Sequence, residues 1–302
     1  MKPLFRSALL ALLPLALLAA APSATTAPAL PPSAAPAAVV DLWPAGKMPG
    51  AATTQPETLR PVRADNVHLY TNVSHPTLSI YPDAKSPTSS TPAPAPPAII
   101  VCPGGAYSYV AMDLEGSEIA TWLSTHGITG IVLKYRVPRN REGAFQDVQR
   151  ALSLARQNAA QWNIDPNHLG IIGFSAGGNL AAKASTRFDD RSYAPIDAAD
   201  RQSCRPDFCI LVYPAYLDQA GKLSPELNLH ANIPPTLIIH NEDDPTYVVG
   251  SKLYNDALDH TTVPHKFLLY PTGGHGYGLR GTKAARVWPA AALDWLHALG
   301  VR

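Results

Sequence analysis

Cysteine is scarce: the chain of 302 residues has three, and Cys102, Cys204 and Cys209 stand in no zinc-type spacing. That excludes a disulfide-dense scaffold and a cysteine metal site. Two arrangements stay open, a Cys204–Cys209 bridge across a short loop with Cys102 free, or three buried thiols. An excess of charge of either sign is also missing, since 24 basic residues against 23 acidic ones leave a formal charge of +1. With no dense Lys/Arg run, nucleic acid and acidic membrane surfaces are poor partners. No internal repeat occurs, and no apolar run reaches the roughly 20 residues that cross a bilayer. The longest, Ala8 to Ala21, follows Lys2 and Arg6, is interrupted by Pro14 and ends in small residues. It predicts a secretory signal peptide over residues 1–24 and an exported protein, periplasmic or secreted, with no membrane span after cleavage. No cysteine near the cut offers a lipid anchor.

Proline, by contrast, is abundant, with 31 residues concentrated in two tracts. The first predicts an Ala/Pro-rich linker over residues 25–40, with almost nothing to bury. The second, "YPDAKSPTSSTPAPAPPA", lies inside the remaining unit, residues 41–302. Prolines at that density cannot sit in a sheet ladder, so residues 82–97 read as a long solvated loop joining two strands. Without its leader the chain keeps about 275 residues, a size that one α/β domain commonly fills.

Between the two tracts, "NVHLYTNV" and "PTLSIYP" alternate with the period of half-buried strands, as an antiparallel pair would. Beyond residue 98 the pattern changes. "AIIVCPGG", "GIVLKYR", "HLGIIGF", "FCILVYP", "PTLIIH" and "HKFLLYP" are short apolar runs separated mostly by helical patterns such as "EGAFQDVQRALSLARQNAAQWNI". The fold class expected is α/β, a mostly parallel central sheet with helices on both faces and an antiparallel N-terminal strand pair. Such sheets place ligands beyond the carboxyl ends of their strands.

"GIIGFSAGG" is a strand-to-helix turn of that kind, and Gly173 to Gly177 fits G-x-S-x-G in the context a nucleophile elbow requires. Small flanking residues allow the sharp turn that lifts the Ser175 hydroxyl above the sheet edge. A serine hydroxyl needs a base. Of ten histidines, His275 stands in a glycine-rich loop after the last strand-like run, whereas His240 ends a strand and His126, His260 and His297 lie in or at the ends of helices. An acid must fix the imidazole tautomer, and "HNEDDPTYV" offers Glu242, Asp243 and Asp244; Asp244, before a proline in a tight turn, is the choice. The order Ser, acid, His is the one this architecture uses. For the oxyanion, backbone amides are expected from Ala176 and from the loop holding Gly104, Gly105 and Ala106, with the last two the better donors.

These motifs together resemble the α/β-hydrolase superfamily of serine esterases and, within it, the bacterial acetylxylan-esterase-like group related to feruloyl esterases. The resemblance runs from "DLWPAGKMPG" through "VCPGGAYSYVAMDLEG", "VLKYRVP", "WNIDPNHLGIIGFSAGGNLAA" and "HNEDDPTYV" to "GGHGYGL". It implies an α/β-hydrolase fold with Ser175 as nucleophile, Asp244 as acid, His275 as base, and an oxyanion hole near Gly104, Gly105 and Ala106 with Ala176. Lipase-like relatives have His-Gly-Gly-Gly where this chain has Pro103-Gly104-Gly105-Ala106, and residues 82–97 are longer than the family's ordinary loop. The function expected is hydrolysis of acetyl or other short-chain esters on plant-polysaccharide fragments such as acetylated xylan, with no metal or organic cofactor. Tyr107, Tyr109, Tyr213, Tyr216 and Tyr247 are candidates for stacking on sugar rings. The rival readings are a broad short-chain carboxylesterase, a serine peptidase of the prolyl-oligopeptidase kind and a non-catalytic envelope binding protein. The chain lacks the length for the propeller of the peptidase.

Overall fold

A computed structural model describes residues 34–61, 67–85, 94–230 and 232–302. The expected signal peptide and most of the linker lie outside the described residues, as does the middle of the second Pro-rich tract. Among the described residues no helix is long and apolar enough to cross a membrane.

Eight strands make the central sheet: β1 (Ala38–Asp41), β2 (Thr77–Tyr81), β3 (Ala98–Cys102), β4 (Thr129–Lys134), β5 (Leu169–Phe174), β6 (Cys209–Val212), β7 (Thr236–Asn241) and β8 (His265–Tyr270). Their spatial order is β1-β2-β4-β3-β5-β6-β7-β8. The pairs β1–β2 and β2–β4 are antiparallel, and all other neighbours are parallel. The continuous apolar runs are the parallel strands, and every residue of β3, β5, β6 and β7 is buried. This is the pattern of a sheet covered on both faces.

The antiparallel pair exists, but β1 and not "NVHLYTNV" is the partner of β2. Leu69–Thr71 instead joins Thr58–Leu59 and Val110–Ala111 in a separate three-stranded sheet. Both edges of β2 are occupied, by β1 and β4, so no edge is left for that segment. β1 itself begins at Ala38, inside the stretch expected to be linker, because residues 77–80 of β2 supply its backbone partners.

Helices α1 (Glu118–Thr125), α2 (Arg141–Gln157), α3 (Ala159–Trp162), α4 (Ala176–Thr186), α5 (Val248–Asp259) and α6 (Trp288–Ala298) cover the sheet. Alternate strand residues face opposite ways. Ile100, Ile131, Ile171, Leu211 and Ile238 pack with Phe145, Leu152, Leu180 and Tyr254 of α2, α4 and α5. Ile99, Val132, Ile172, Ile210 and Ile239 pack with Ile119, Leu123, Trp288 and Leu296 of α1 and α6. The long helical pattern after Asn140 divides into α2 and α3 at Asn158, whose side-chain amide donates to the Leu154 carbonyl. All three cysteines are free, buried thiols. Burial raises the pKa of each and leaves it unreactive, Cys209 being pushed up to about 12.

One buried ion pair locks α2 to the end of β4. Asp147 accepts from the Arg136 backbone amide at 2.9 Å, from Arg136 Nε at 3.0 Å and from Trp43 Nε1 at 2.7 Å. Removing one partner of such a pair strands the other charge away from water. Asp147→Ala is therefore expected to lower stability by about 3–5 kcal/mol, read as a fall in the urea midpoint. A midpoint within error of wild type would show that the pair is dispensable.

Candidate active site

Four loops at the carboxyl ends of β3, β5, β7 and β8 converge on one spot. The turn from β5 into α4 is the sharpest. Ser175 has φ 51° and ψ −119°, a sparsely populated conformation for a residue with a side chain. The flanking glycines are required by space: a Cβ on Gly173 would lie 2.1 Å from the Gly177 carbonyl oxygen, and one on Gly177 would lie 2.0 Å from the Cys102 carbonyl oxygen.

His275, after β8, lies 2.7 Å through Nε2 from Ser175 Oγ. Its Nδ1 is 2.6 Å from Asp244 Oδ2, after β7. A carboxylate only accepts, so Nδ1 carries the proton and Nε2 is left as acceptor for the Ser175 hydroxyl. The same Asp244 oxygen accepts from Nε2 of His240 at 3.0 Å, and His240 Nδ1 accepts from the Ser251 hydroxyl at 2.7 Å. Burial works against the charged Asp244, but the bonds from His240 and His275 outweigh it and hold its pKa below the usual value. Burial holds His240 below its ordinary value, which keeps it neutral. Of the three acidic residues here, Glu242 pairs with Lys252 at the surface, and Asp243 holds the loop while Asp244 holds the ring. Asp243 Oδ1 accepts from the amides of Gly273 and Gly274 at 2.8 and 2.7 Å, and Asn241 Nδ2 donates to the Gly274 carbonyl at 2.8 Å. The amides of Gly274 and Gly273 pull the Asp243 pKa down.

On the loop after β3, one expected donor is corrected. The Gly104 amide donates to Glu115 Oε2 at 2.7 Å, so it is already engaged. The amides of Gly105, Ala106 and Ala176 have no protein acceptor among the described residues. Gly105 has φ +135°, and a Cβ there would sit 2.2 Å from the Tyr109 carbonyl oxygen. Gly105 and Ala106 share the wall of a cavity of about 570 Å³ with Ser175 and His275. Its remaining walls include Val67, Leu69, Ala111 and Leu114, with Arg60 and Tyr109.

Glu115 escaped sequence reasoning. It lies in a wide helical turn, Asp113–Ser117, ahead of α1 and is 3% exposed. Its Oε1 accepts from the Tyr213 hydroxyl at 2.8 Å, and that hydroxyl accepts from the Gly278 amide at 2.8 Å. One buried carboxylate thus joins the loop of Gly104 to the loop of His275. Burial pushes its pKa up, against the hydrogen bonds from Tyr213 and Gly104. Nothing in the spacing of "MDLEGSEIA" betrays this role of its first Glu, and the roles of His240 and Asp243 as supports are equally silent.

The tyrosines divide. Tyr109 lines the cavity under the Arg60 guanidinium, 4.6 Å from the ring centroid. The Tyr247 ring packs 5.0 Å from the His275 ring. Tyr107 and Tyr213 do not fit the stacking role expected of them: both are buried, with hydroxyls donated to Asn179 Oδ1 and Glu115.

The depressed pKa of Asp244 ties stability to pH. Its contribution is complete above the unfolded value, about 3.9, and is lost as pH falls through the lower folded value. The stability difference between wild type and Asp244→Asn is therefore expected to be largest near neutrality and to shrink below about pH 4. Urea denaturation from pH 3 to 7 measures it, and a pH-independent difference would contradict the coupling.

Comparison with known proteins adds to this geometry. The BD-FAE family model matches residues 83–206. An acetylxylan esterase of Xylanibacter ruminicola is 31% identical over 212 residues, covering 61% of this chain and 42% of that protein. The chain thus spans less than half the length of that curated relative. The crystal structure of an acetyl ester-xyloside bifunctional hydrolase from Caldicellulosiruptor lactoaceticus superposes with a TM-score of 0.72 at 30% identity, covering 87% of this chain and 97% of that one. A thermophilic esterase of Thermogutta terrifontis shares the fold at 23% identity, with a TM-score of 0.62 and coverage of 84% and 96%.

Proposed function

The chain belongs to the α/β-hydrolase superfamily, and on that premise we propose that it is a serine esterase removing acetyl groups from xylan-type polysaccharide fragments. The observation that carries this reading is the hydrogen-bonded line from Ser175 Oγ through His275 to Asp244, at 2.7 and 2.6 Å. In it Ser175 is the nucleophile, His275 the base and Asp244 the acid. His275 Nε2 takes the hydroxyl proton as the Ser175 Oγ–carbon bond forms. The negative oxygen of the tetrahedral intermediate is held by the amides of Gly105 or Ala106 and of Ala176. Collapse breaks the ester bond, the leaving alkoxide takes the proton from His275, and a water activated by the same imidazole hydrolyses the acyl-enzyme. Each step uses side chains and amides of the chain itself.

The acetyl and xylan elements are supported by what the similar proteins are named for, an acetylxylan esterase and an acetyl ester-xyloside hydrolase. Export belongs to the same proposal, through the leader expected over residues 1–24, since polymeric xylan lies outside cells. The apolar wall of Val67, Leu69, Ala111 and Leu114 favours a second reading, a short-chain carboxylesterase indifferent to the alcohol.

Ser175→Ala is expected to lower hydrolysis of an aryl acetate at least about 10⁴-fold without unfolding the protein. Retained activity would remove Ser175 from the mechanism. The two readings separate on acetate release: the xylan esterase liberates acetate from acetylated xylan and from aryl acetate, the carboxylesterase from aryl acetate alone.

A further inference from the structure

Beside His275, and apart from the residues that line the cavity, Tyr247, Tyr216 and Arg141 form a continuous ledge. The rings of Tyr247 and His275 are 5.0 Å apart and those of Tyr247 and Tyr216 are 5.5 Å apart. The Arg141 guanidinium lies 4.6 Å from the centroids of both Tyr216 and Tyr107. The backbone is strained to hold these rings: Tyr107 has φ 54° and Tyr216 φ 56°, conformations that persist only where the surroundings impose them and that cluster at ligand sites. Tyr216 and Tyr247 are each half-buried, so part of both side chains meets solvent.

The Arg141 guanidinium on the ledge is placed but not consumed. Arg141 is 46% exposed, and its guanidinium donors meet no hydrogen-bond acceptor among the described residues. It pairs with Glu226 at 3.7 Å, whose carboxylate accepts from Asn179 Nδ2 at 2.8 Å. A fixed donor beside a fixed acceptor, next to aromatic faces, matches the adjacent hydroxyls and the apolar C–H face of a sugar ring. Glu226 disfavours an anionic ligand in the same place.

We propose that Arg141, Tyr216 and Tyr247 form a subsite for a neutral pyranose ring on the alcohol side of the scissile ester. The inference rests on the esterase reading above and adds to it what the enzyme holds beyond the ester: a neighbouring, uncharged sugar of an oligosaccharide chain. Tyr247, against His275, borders the reacting ester, and Arg141, at the far end, meets the next ring.

Xylotetraose binding to the Ser175→Ala protein, measured by calorimetry, tests the subsite without requiring turnover. Adding Arg141→Ala, an exposed position that leaves the fold intact, or Tyr216→Leu is expected to weaken binding at least tenfold. In the active enzyme, Arg141→Ala is expected to raise KM for acetylated xylo-oligosaccharides at least tenfold with kcat within threefold of wild type. No detectable binding of xylotetraose to the Ser175→Ala protein, or equal binding with and without Arg141→Ala, would overturn the subsite. Failure of the wild-type protein to hydrolyse aryl acetate would overturn the esterase reading, while the binding result would still decide the subsite.

Discussion

The close approach of the α4 N-terminus to the end of β3 is the constraint on which the site depends. Gly177 packs against the Cys102 carbonyl with no room for a Cβ, and Gly173 packs against the Gly177 carbonyl in the same way. Ser175 is forced into a strained conformation between them, and the sheet supports the strain. Its amide donates to the Val212 carbonyl at 3.2 Å, and its carbonyl accepts from the amides of Gly178 and Ala215, each at 2.9 Å. A hydroxyl held this way needs little reorganisation before it reacts, which is how a scaffold contributes to catalysis.

The loops around that turn are tied by buried or shielded acceptors instead of by packing alone. Glu115 joins the Gly104 amide to Tyr213 and, through it, to Gly278. Asp243 fixes the turn that carries His275, and Asn241 secures the same turn from its carbonyl side. Asp244 is shared between an imidazole that faces the serine and one that is wholly buried. Adjacent carboxylates thus do different work because successive residues leaving β7 point to different neighbours. Charge-assisted hydrogen bonds of this kind are stronger than neutral ones, which suits the positioning of glycine-rich loops.

Much of this was legible in the amino-acid order. The six apolar runs after residue 98 are the strands β3 to β8: those inside the sheet are apolar because both their faces are covered, and the edge strand β8, only partly buried, carries the same pattern. Ser175, Asp244 and His275 were legible because each follows such a run in a fixed order, and their side chains do meet. Segment pairing near the N-terminus was not legible, since alternation shows that a strand exists but not which edge is free to receive it. Nor were the roles of the tyrosines: type predicted an exposed ring, whereas burial with an engaged hydroxyl puts Tyr107 and Tyr213 in the framework.

The sequence by itself determined the α/β class, the succession of apolar strands after residue 98 and the three residue types that assemble at their carboxyl ends, because periodicity and turn chemistry are local and survive in one dimension. Tertiary structure alone decided that the Gly104 amide belongs to Glu115, that His240 shares Asp244, and that Arg141 stacks between rings from two other loops. Those contacts join residues of different loops or, as between His240 and Asp244 only 4 positions apart, depend on which way a side chain turns, and no local pattern records either.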